Sequence, residues 1–254
     1  MSITFGIVTD GKSDDLLSQS IESIRKLKIE DYEIVVVGDT SITSETDLRV
    51  YFFDETIKQG WITRKKNLVT HLAKSKYIVY LHDYIFFDID WYKNFKKTQE
   101  FNVGVCEIIN RDGERYRDWT LWVENGGPFD TYIQRTRQTL LPYSIKTLSP
   151  YMYISGAFWV ARREFMLQNP LNENLVWGQM EDVEWSKRVR EKTSFVFLKN
   201  AKVYLLRQKN VEFVHAKLPL VKALIQFLEK GAIKFPHKIE DEFNDLDLVP
   251  RQIK

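Results

Sequence analysis

The sequence predicts an α/β protein whose mixed, mostly parallel sheet is flanked by helices, and three observations carry that prediction. Over the first eighty residues, strand-like and helical segments follow one another as strand, helix, strand, strand, helix, strand, the order of a doubly wound sheet with right-handed crossovers. The strand-like runs at 3–8, 33–37 and 77–81 are β-branched and aromatic, as strands buried on both faces tend to be. Each is followed two residues later by an aspartate, Asp10, Asp39 and Asp83, and open α/β sheets bind ligands just beyond the carboxyl ends of their strands. Each aspartate also suits a turn or a helix start.

Residues 3–8, ITFGIV, form the first strand, and the turn Thr9-Asp10-Gly11 leads into a helix that starts at Ser13-Asp14-Asp15. That helix runs to about Leu27, with Leu16, Leu17, Ile21, Ile24 and Leu27 on one face. A second strand at 33–37 ends in Gly38-Asp39-Thr40, a third spans 48–53, and 62–74 is a basic helix with Ile62, Leu68 and Leu72 inward. The fourth strand lies within KYIVYLHDYIFFDIDW and delivers His82, Asp83 and Tyr84 at its end. Residues 91–101 predict a helix and 102–109 a further strand.

Residues 110–150 change character, with Arg111, Arg115, Arg117, Arg135 and Arg137 interleaved among Tyr116, Trp119, Trp122, Phe129, Tyr132 and Tyr143 around a Gly126-Gly127-Pro128 turn. They read as an inserted hairpin or loop region over the site, or as a satellite hydrophobic cluster under a long loop. The small residues Ser155-Gly156-Ala157 interrupt strand-like sequence, which permits close backbone approach to a ligand or marks a bulge. Glu181-Asp182-Val183-Glu184 opens a helix through Arg190, its acids early and Lys187, Arg188 and Arg190 late, as the helix dipole favours. Two short apolar runs follow at 195–198 and 203–206. Residues 218–230 form an amphipathic helix that packs on the domain or docks at a membrane surface.

A length of 254 residues suits one large α/β domain. The formal net charge is +2 and no block of like charge occurs, so no electrostatic footprint for nucleic acid is present. The single cysteine, Cys106, makes no internal disulfide and fits a reducing compartment. His82 and Asp83 interrupt the best candidate for a membrane span, and the N-terminus lacks a basic leader. The expectation is a cytoplasmic protein, with peripheral contact at the inner membrane face as a further option. Sixteen Phe, twelve Tyr and seven Trp are more than a core needs and suit stacking on flat ligand faces.

Gly6-Ile7-Val8-Thr9-Asp10-Gly11-Lys12-Ser13 matches the phosphate-loop pattern G-x-x-x-x-G-K-[ST] letter for letter. That loop needs its amides to curl around phosphates between a strand and a helix. Here Ile7 and Val8 continue the strand, with no turn signal before Thr9, and the match is read as accidental.

With these pieces in order, the chain resembles the family 2 glycosyltransferases of the GT-A fold over approximately residues 3–216. The resemblance implies a glycosyltransferase domain over 1–216, with 110–150 as an acceptor-side insertion and 217–254 as a C-terminal helical extension. It places Asp39 on the nucleotide base, Thr9 and Asp10 near base and ribose, and Gly60, Arg64, Lys66 and Asn67 of GWITRKKN on the diphosphate side. Gly156 falls in the loop beside the donor sugar. Met180-Glu181-Asp182 resembles the motif whose Asp is the catalytic base, and Glu181 beside it is placed to raise its pKa. The family's Asp-x-Asp metal motif is replaced by His82-Asp83-Tyr84, which leaves Asp83, with His215, as the expected ligands of Mn²⁺ or Mg²⁺.

The implied reaction is an inverting transfer from a nucleotide-diphosphate sugar, UDP-linked by preference, to a hydroxyl of a glycan or glycoconjugate. Trp119, Trp122 and Arg117 are the candidate acceptor residues, through stacking and charge. A phosphate-loop phosphotransferase using Lys12 and Ser13, and a catalytically silent nucleotide-sugar-binding domain, are the competing readings.

Overall fold

The computed structural model describes residues 2–122, 138–146, 148, 151–210 and 214–215, and of Trp122, Gln138, Val214 and His215 only the backbone. The strands are β1 (Ile3–Val8), β2 (Tyr32–Val37), β3 (Leu48–Tyr51), β4 (Tyr77–His82), β5 (Ile85–Phe87), β6 (Val103–Ile109), β7 (Thr120–Trp122), β8 (Gln138–Leu140), β9 (Met152–Tyr153), β10 (Phe158–Arg162), β11 (Phe195–Leu205) and β12 (Val214–His215). The helices that matter for the site are α1 (Asp14–Arg25), α2 (Ile62–Leu72), α3 (Trp91–Phe95) and the acidic helix Glu181–Val189.

Eight strands form the central sheet in the order β3-β2-β1-β4-β10-β6-β11-β5. The first four run parallel. Beyond them β10 is antiparallel to β4 and β6, β11 is parallel to β6, and β5 is antiparallel to β11. The strands read as continuous apolar runs because both faces are covered. Phe5, Ile7, Val36, Val79 and Leu81 pack with Leu17, Ile21 and Ile24 of α1 and with Trp91 and Phe95 of α3. Val35, Val37, Ile78 and Tyr80, facing the other way, pack with Ile62 and Val69 of α2 and with Trp185 and Val189 of the acidic helix.

The contact between α2 and β1 depends on Gly6. A Cβ there would sit 2.1 Å from Val69 Cγ1, closer than any pair of carbon atoms packs. Gly6, Ile7 and Val8 are all paired to β2 on one side and β4 on the other. Their amides are committed to the sheet and do not curl as a phosphate loop requires, so the letter match with that motif has another cause: a glycine for helix packing and a turn at Gly11.

Several elements depart from expectation. The helix expected over 91–101 stops at Phe95, because Thr98 and Lys97 close tight turns on Phe95 and Asn94 and the chain brings Phe101 back onto the Tyr77 ring, 4.9 Å between centroids. The two runs at 195–198 and 203–206 belong to one strand, β11, whose register shifts between Phe197 and Lys202 around Asn200 at φ +61°, a bulge rather than a break. Residues 163–168 form a short helix that was not expected.

A second, four-stranded sheet has the order β12-β8-β7-β9, and its antiparallel β7–β8 pair falls in the region expected to be a hairpin or loop. The amphipathic stretch 218–230 and the remainder of 217–254 lie outside the described residues. Among the described residues no helix is long and apolar enough to cross a membrane.

Candidate active site

Parallel pairing sets Val8 level with Val37 and with His82, so the chain leaves β1, β2 and β4 at one edge and places Thr9, Asp10, Asp39 and Asp83 there. Gly11, at φ +76°, lets the turn after β1 rest on β2's exit; a Cβ at that position would lie 2.6 Å from the Asp39 carbonyl oxygen. Thr9 joins the two inner strands. Its hydroxyl donates to Asp83 Oδ2 at 2.7 Å and accepts from the Gly11 N–H at 3.1 Å, while its carbonyl accepts from Lys65 Nζ at 2.6 Å.

An open cleft of about 990 Å³ lies over this edge, lined by Thr9, Asp10 and Asp83, by Lys65, Arg207 and Lys209, and by Trp177, among others. Burial raises the pKa of Asp83, against the pull of the Thr9 hydroxyl and of Arg207. For Asp10, the smaller cost of burial is overcome by Lys12 and Arg207, and its pKa falls. His82 is held well below its usual value, first by burial and then by Lys66, Lys209 and Lys65, so it is a neutral imidazole at pH 7.

Behind the cleft, α2 turns Thr63, Lys65, Lys66, Asn67 and Thr70 inward, an unusual choice for a buried helix face and one that demands partners. Lys66 Nζ donates to the Gly156 carbonyl at 2.7 Å and lies 4.5 Å from the centre of the Trp159 ring. The Gly156 N–H in turn donates to Asp182 Oδ2 at 2.9 Å. One residue therefore ties α2 to the start of the acidic helix. Arg117 Nη2 donates to the same Asp182 oxygen at 2.8 Å, and the Val183 N–H to Oδ1 at 2.9 Å. Burial draws Lys66 down to about 8 despite Glu181 and Asp182 nearby, and burial raises Glu181.

Of the residues expected to serve the site, Thr9, Asp10 and Asp83 line the cleft, Asp39 lies beside Gly11 in the turn after β1, and Lys66, Gly156 and Asp182 form one bonded group, with the Glu181 carboxylate near Lys66 and Asp182. Arg64 and Asn67 turn elsewhere. Arg64 pairs with the Glu173 carboxylate at 3.0 Å, and Asn67 exchanges hydrogen bonds with the Leu171 backbone and reaches Glu173. Arg117 is engaged by Asp182 and Tyr153 and is not open to an acceptor in this arrangement. Trp119 is fully buried, with its indole N–H on the Ile145 carbonyl at 2.8 Å, so the acceptor-stacking expectation is corrected for this residue: it has no free face. Trp122 and His215 sit in β7 and β12, their side chains outside what is described.

Four cleft residues escaped sequence reasoning. Lys65 is adjacent to the basic positions singled out, and Trp177 precedes Gly178 just ahead of Glu181-Asp182. Arg207 and Lys209 follow an apolar strand end, the same signal that identified the aspartates, but with cations in the exit positions.

Of the two ligands expected for a divalent cation, Asp83 lines the cleft and His215 has its side chain outside the described residues. No three His, Cys, Asp or Glu side chains among them converge as ligands. Asp83 has one oxygen on Thr9, and the charges of Arg207, Asp10 and Lys209 act on it from nearby.

No family model and no curated protein matches the sequence. Among solved structures, GalNAc-T7 with UDP, GalNAc and Mn²⁺ aligns with 83% of this chain and 44% of its own, at TM-score 0.56 and 15% identity. TarS 1–349 of S. aureus in complex with UDP-GlcNAc aligns with 83% of this chain and 60% of its own, at TM-score 0.55 and 14% identity. The chain thus spans about half the length of these proteins, and at such identity the likeness is one of fold. The parallel half-sheet with its antiparallel continuation, together with these alignments, gives the chain the GT-A glycosyltransferase fold.

Proposed function

We propose that the protein is an inverting glycosyltransferase that moves a sugar from a nucleotide-diphosphate sugar, UDP-linked by preference, to a hydroxyl of a glycan or glycoconjugate. The observation that carries this reading is the link between two halves of a site. The strand-end carboxylate Asp83 accepts from Thr9, whose carbonyl is held by Lys65 of α2, and the next residue of that helix, Lys66, is tied through Gly156 to the buried Asp182 at a helix start.

Asp39 and Asp10, with Thr9, take the base and ribose. The acceptor oxygen attacks the anomeric carbon, its proton passes to Asp182, and the bond to the diphosphate oxygen breaks with its electron pair on the leaving group. A positioned base of this kind contributes about 10²–10⁴-fold. The N–H groups of Gly156 and Val183 and the Arg117 guanidinium orient the Asp182 carboxylate. Arg64 and Asn67 act at one remove, fixing 171–173 ahead of Trp177 and the acidic helix. Trp177, 68% exposed on the cleft wall, takes the stacking role first assigned to Trp119, with Trp122 retained as a second acceptor contact.

A silent nucleotide-sugar-binding domain is the second reading, favoured by the occupation of both Asp182 oxygens. Thermal stabilisation against a panel of nucleotide sugars, nucleoside diphosphates and ATP, with and without Mn²⁺ or Mg²⁺, comes first; a ligand at 100 times its dissociation constant adds about 2.7 kcal/mol. Donor hydrolysis and transfer are then compared in the wild type and Asp182→Asn. A shift with one diphosphate sugar and a loss of turnover of about 100-fold or more in the variant is expected. Binding without turnover in the wild type selects the silent domain, and a shift with ATP alone removes the glycosyltransferase.

A further inference from the structure

Resting on the glycosyltransferase reading, we infer that Arg207 and Lys209 take the charge of the departing diphosphate, a role that a divalent cation could otherwise fill. The segment that carries them is fixed over the end of β4. Leu206 N–H bonds the Tyr84 carbonyl at 2.8 Å. Asn110 then holds the Lys209 backbone from both sides, its amide donating to the carbonyl at 2.8 Å and its oxygen accepting from the N–H at 3.0 Å. Both cations lie over the one Tyr84 ring, Lys209 Nζ at 4.3 Å and Arg207 Cζ at 5.6 Å from its centre.

Two ion pairs line the cleft, and Arg207, Lys209 and Asp83 stand outside them. Lys12 pairs with Asp10 and Lys65 with Glu55. Arg207 donates to Ser13 Oγ, a neutral group, and among the described residues no carboxylate lies within ion-pair distance of Arg207 or Lys209. The remaining carboxylate, Asp83, is buried and already accepts from Thr9. Holding two cations together over one ring costs repulsion, and the Lys209 pKa is lowered by burial and then by Arg207, against the weaker pull of Asp83 and Asp10. That repulsion is relieved by a dianionic group between them, while a divalent cation in the same place adds to it. A guanidinium forks onto two phosphate oxygens and an ammonium adds a point charge, and donors fixed before the reaction stabilise charge as it develops on the leaving oxygen.

The test is calorimetric binding of UDP, with GDP, CDP and ADP as alternatives, to the full chain in EDTA and in Mn²⁺. The expected result is binding in EDTA within about threefold of that in Mn²⁺, weakened about tenfold or more by Lys209→Gln or Arg207→Gln and largely restored by Lys209→Arg. A melting temperature close to wild type for each variant separates lost binding from lost folding. Binding that requires Mn²⁺, or that Lys209→Gln leaves unchanged, overturns the inference and leaves the glycosyltransferase reading standing. Failure of every nucleoside diphosphate to bind, with metal and without, overturns both.

Discussion

At the carboxyl edge of β1 the charges face water, whereas at the start of the acidic helix they are enclosed. The Lys12–Asp10 pair stands at 3.3 Å with side chains 76% and 46% exposed; the Arg117–Asp182 pair stands at 2.8 Å with side chains 22% and 7% exposed, beside the buried Lys66 and Glu181. Solvent screens the first pair, so either partner can leave it for a ligand at little cost. In the second, each charge depends on the others for the solvation that water no longer supplies. The β1 edge is therefore free to rearrange and the acidic half is a fixed block; on the proposed function, the first receives the nucleotide and the second the reacting hydroxyl.

Arg117→Met gives the largest expected effect. It leaves Asp182 buried without its cation and should lower stability by about 3 kcal/mol in urea unfolding. Lys12→Ala, in the exposed pair, should cost no more than about 0.5 kcal/mol. The double variant Arg117→Met with Asp182→Leu should recover part of the loss, because the penalty comes from the orphaned charge. Equal losses for Arg117→Met and Lys12→Ala would erase the distinction between the two halves.

His82 sits where the halves meet, and its effect is smaller and pH-dependent. In the unfolded chain it takes up a proton near pH 6.5, while burial and three lysines keep it neutral in the folded protein to well below that. The unfolded state then binds more protons, and stability falls as pH drops below about 6.5, by up to about 1.4 kcal/mol per pH unit. Asp83 and Glu181, whose pKa values are raised, act in the opposite sense and gain stability as pH falls through their folded values. Both remain in His82→Asn, so the difference between the two pH–stability curves isolates the imidazole. Parallel curves would mean that His82 takes up its proton over the same pH range in the folded and unfolded protein.

The parallel half of the fold was legible in the sequence, and physical reasons explain why. Strands covered on both faces announce themselves as unbroken apolar runs, and the same parallel pairing brings their exit residues to one edge, so Thr9, Asp10, Asp39 and Asp83 could be grouped from their spacing. The antiparallel half obeys weaker signals. Lys199 and Asn200 look like a chain break, yet a bulge carries β11 through them. Burial of Trp119 and the pairing of Arg117 with Asp182, 65 residues away, are set by tertiary contacts that no local pattern records. The polar inner face of α2 escaped as well, because Lys65 and Lys66 find their partners on the Thr9 and Gly156 carbonyls, far along the chain.

Trp177 offers the finest test, since it is exposed as the donor edge is and yet leads directly into the enclosed half. Its N–H is held by the Gly60 carbonyl at 2.8 Å, so the backbone stays in place when the side chain is cut back. Trp177→Ala should leave stability within about 0.5 kcal/mol of wild type and UDP binding within about twofold, because an indole on the cleft wall adds no charge to the diphosphate. If the ring stacks on a sugar, a loss of about 1 kcal/mol of stacking raises the acceptor KM roughly fivefold, and Trp177→Phe keeps most of it. A fall in UDP affinity matching the rise in KM would assign the ring to the donor edge instead, and the aromatic contact for the acceptor would then have to come from the β7–β8 side of the molecule.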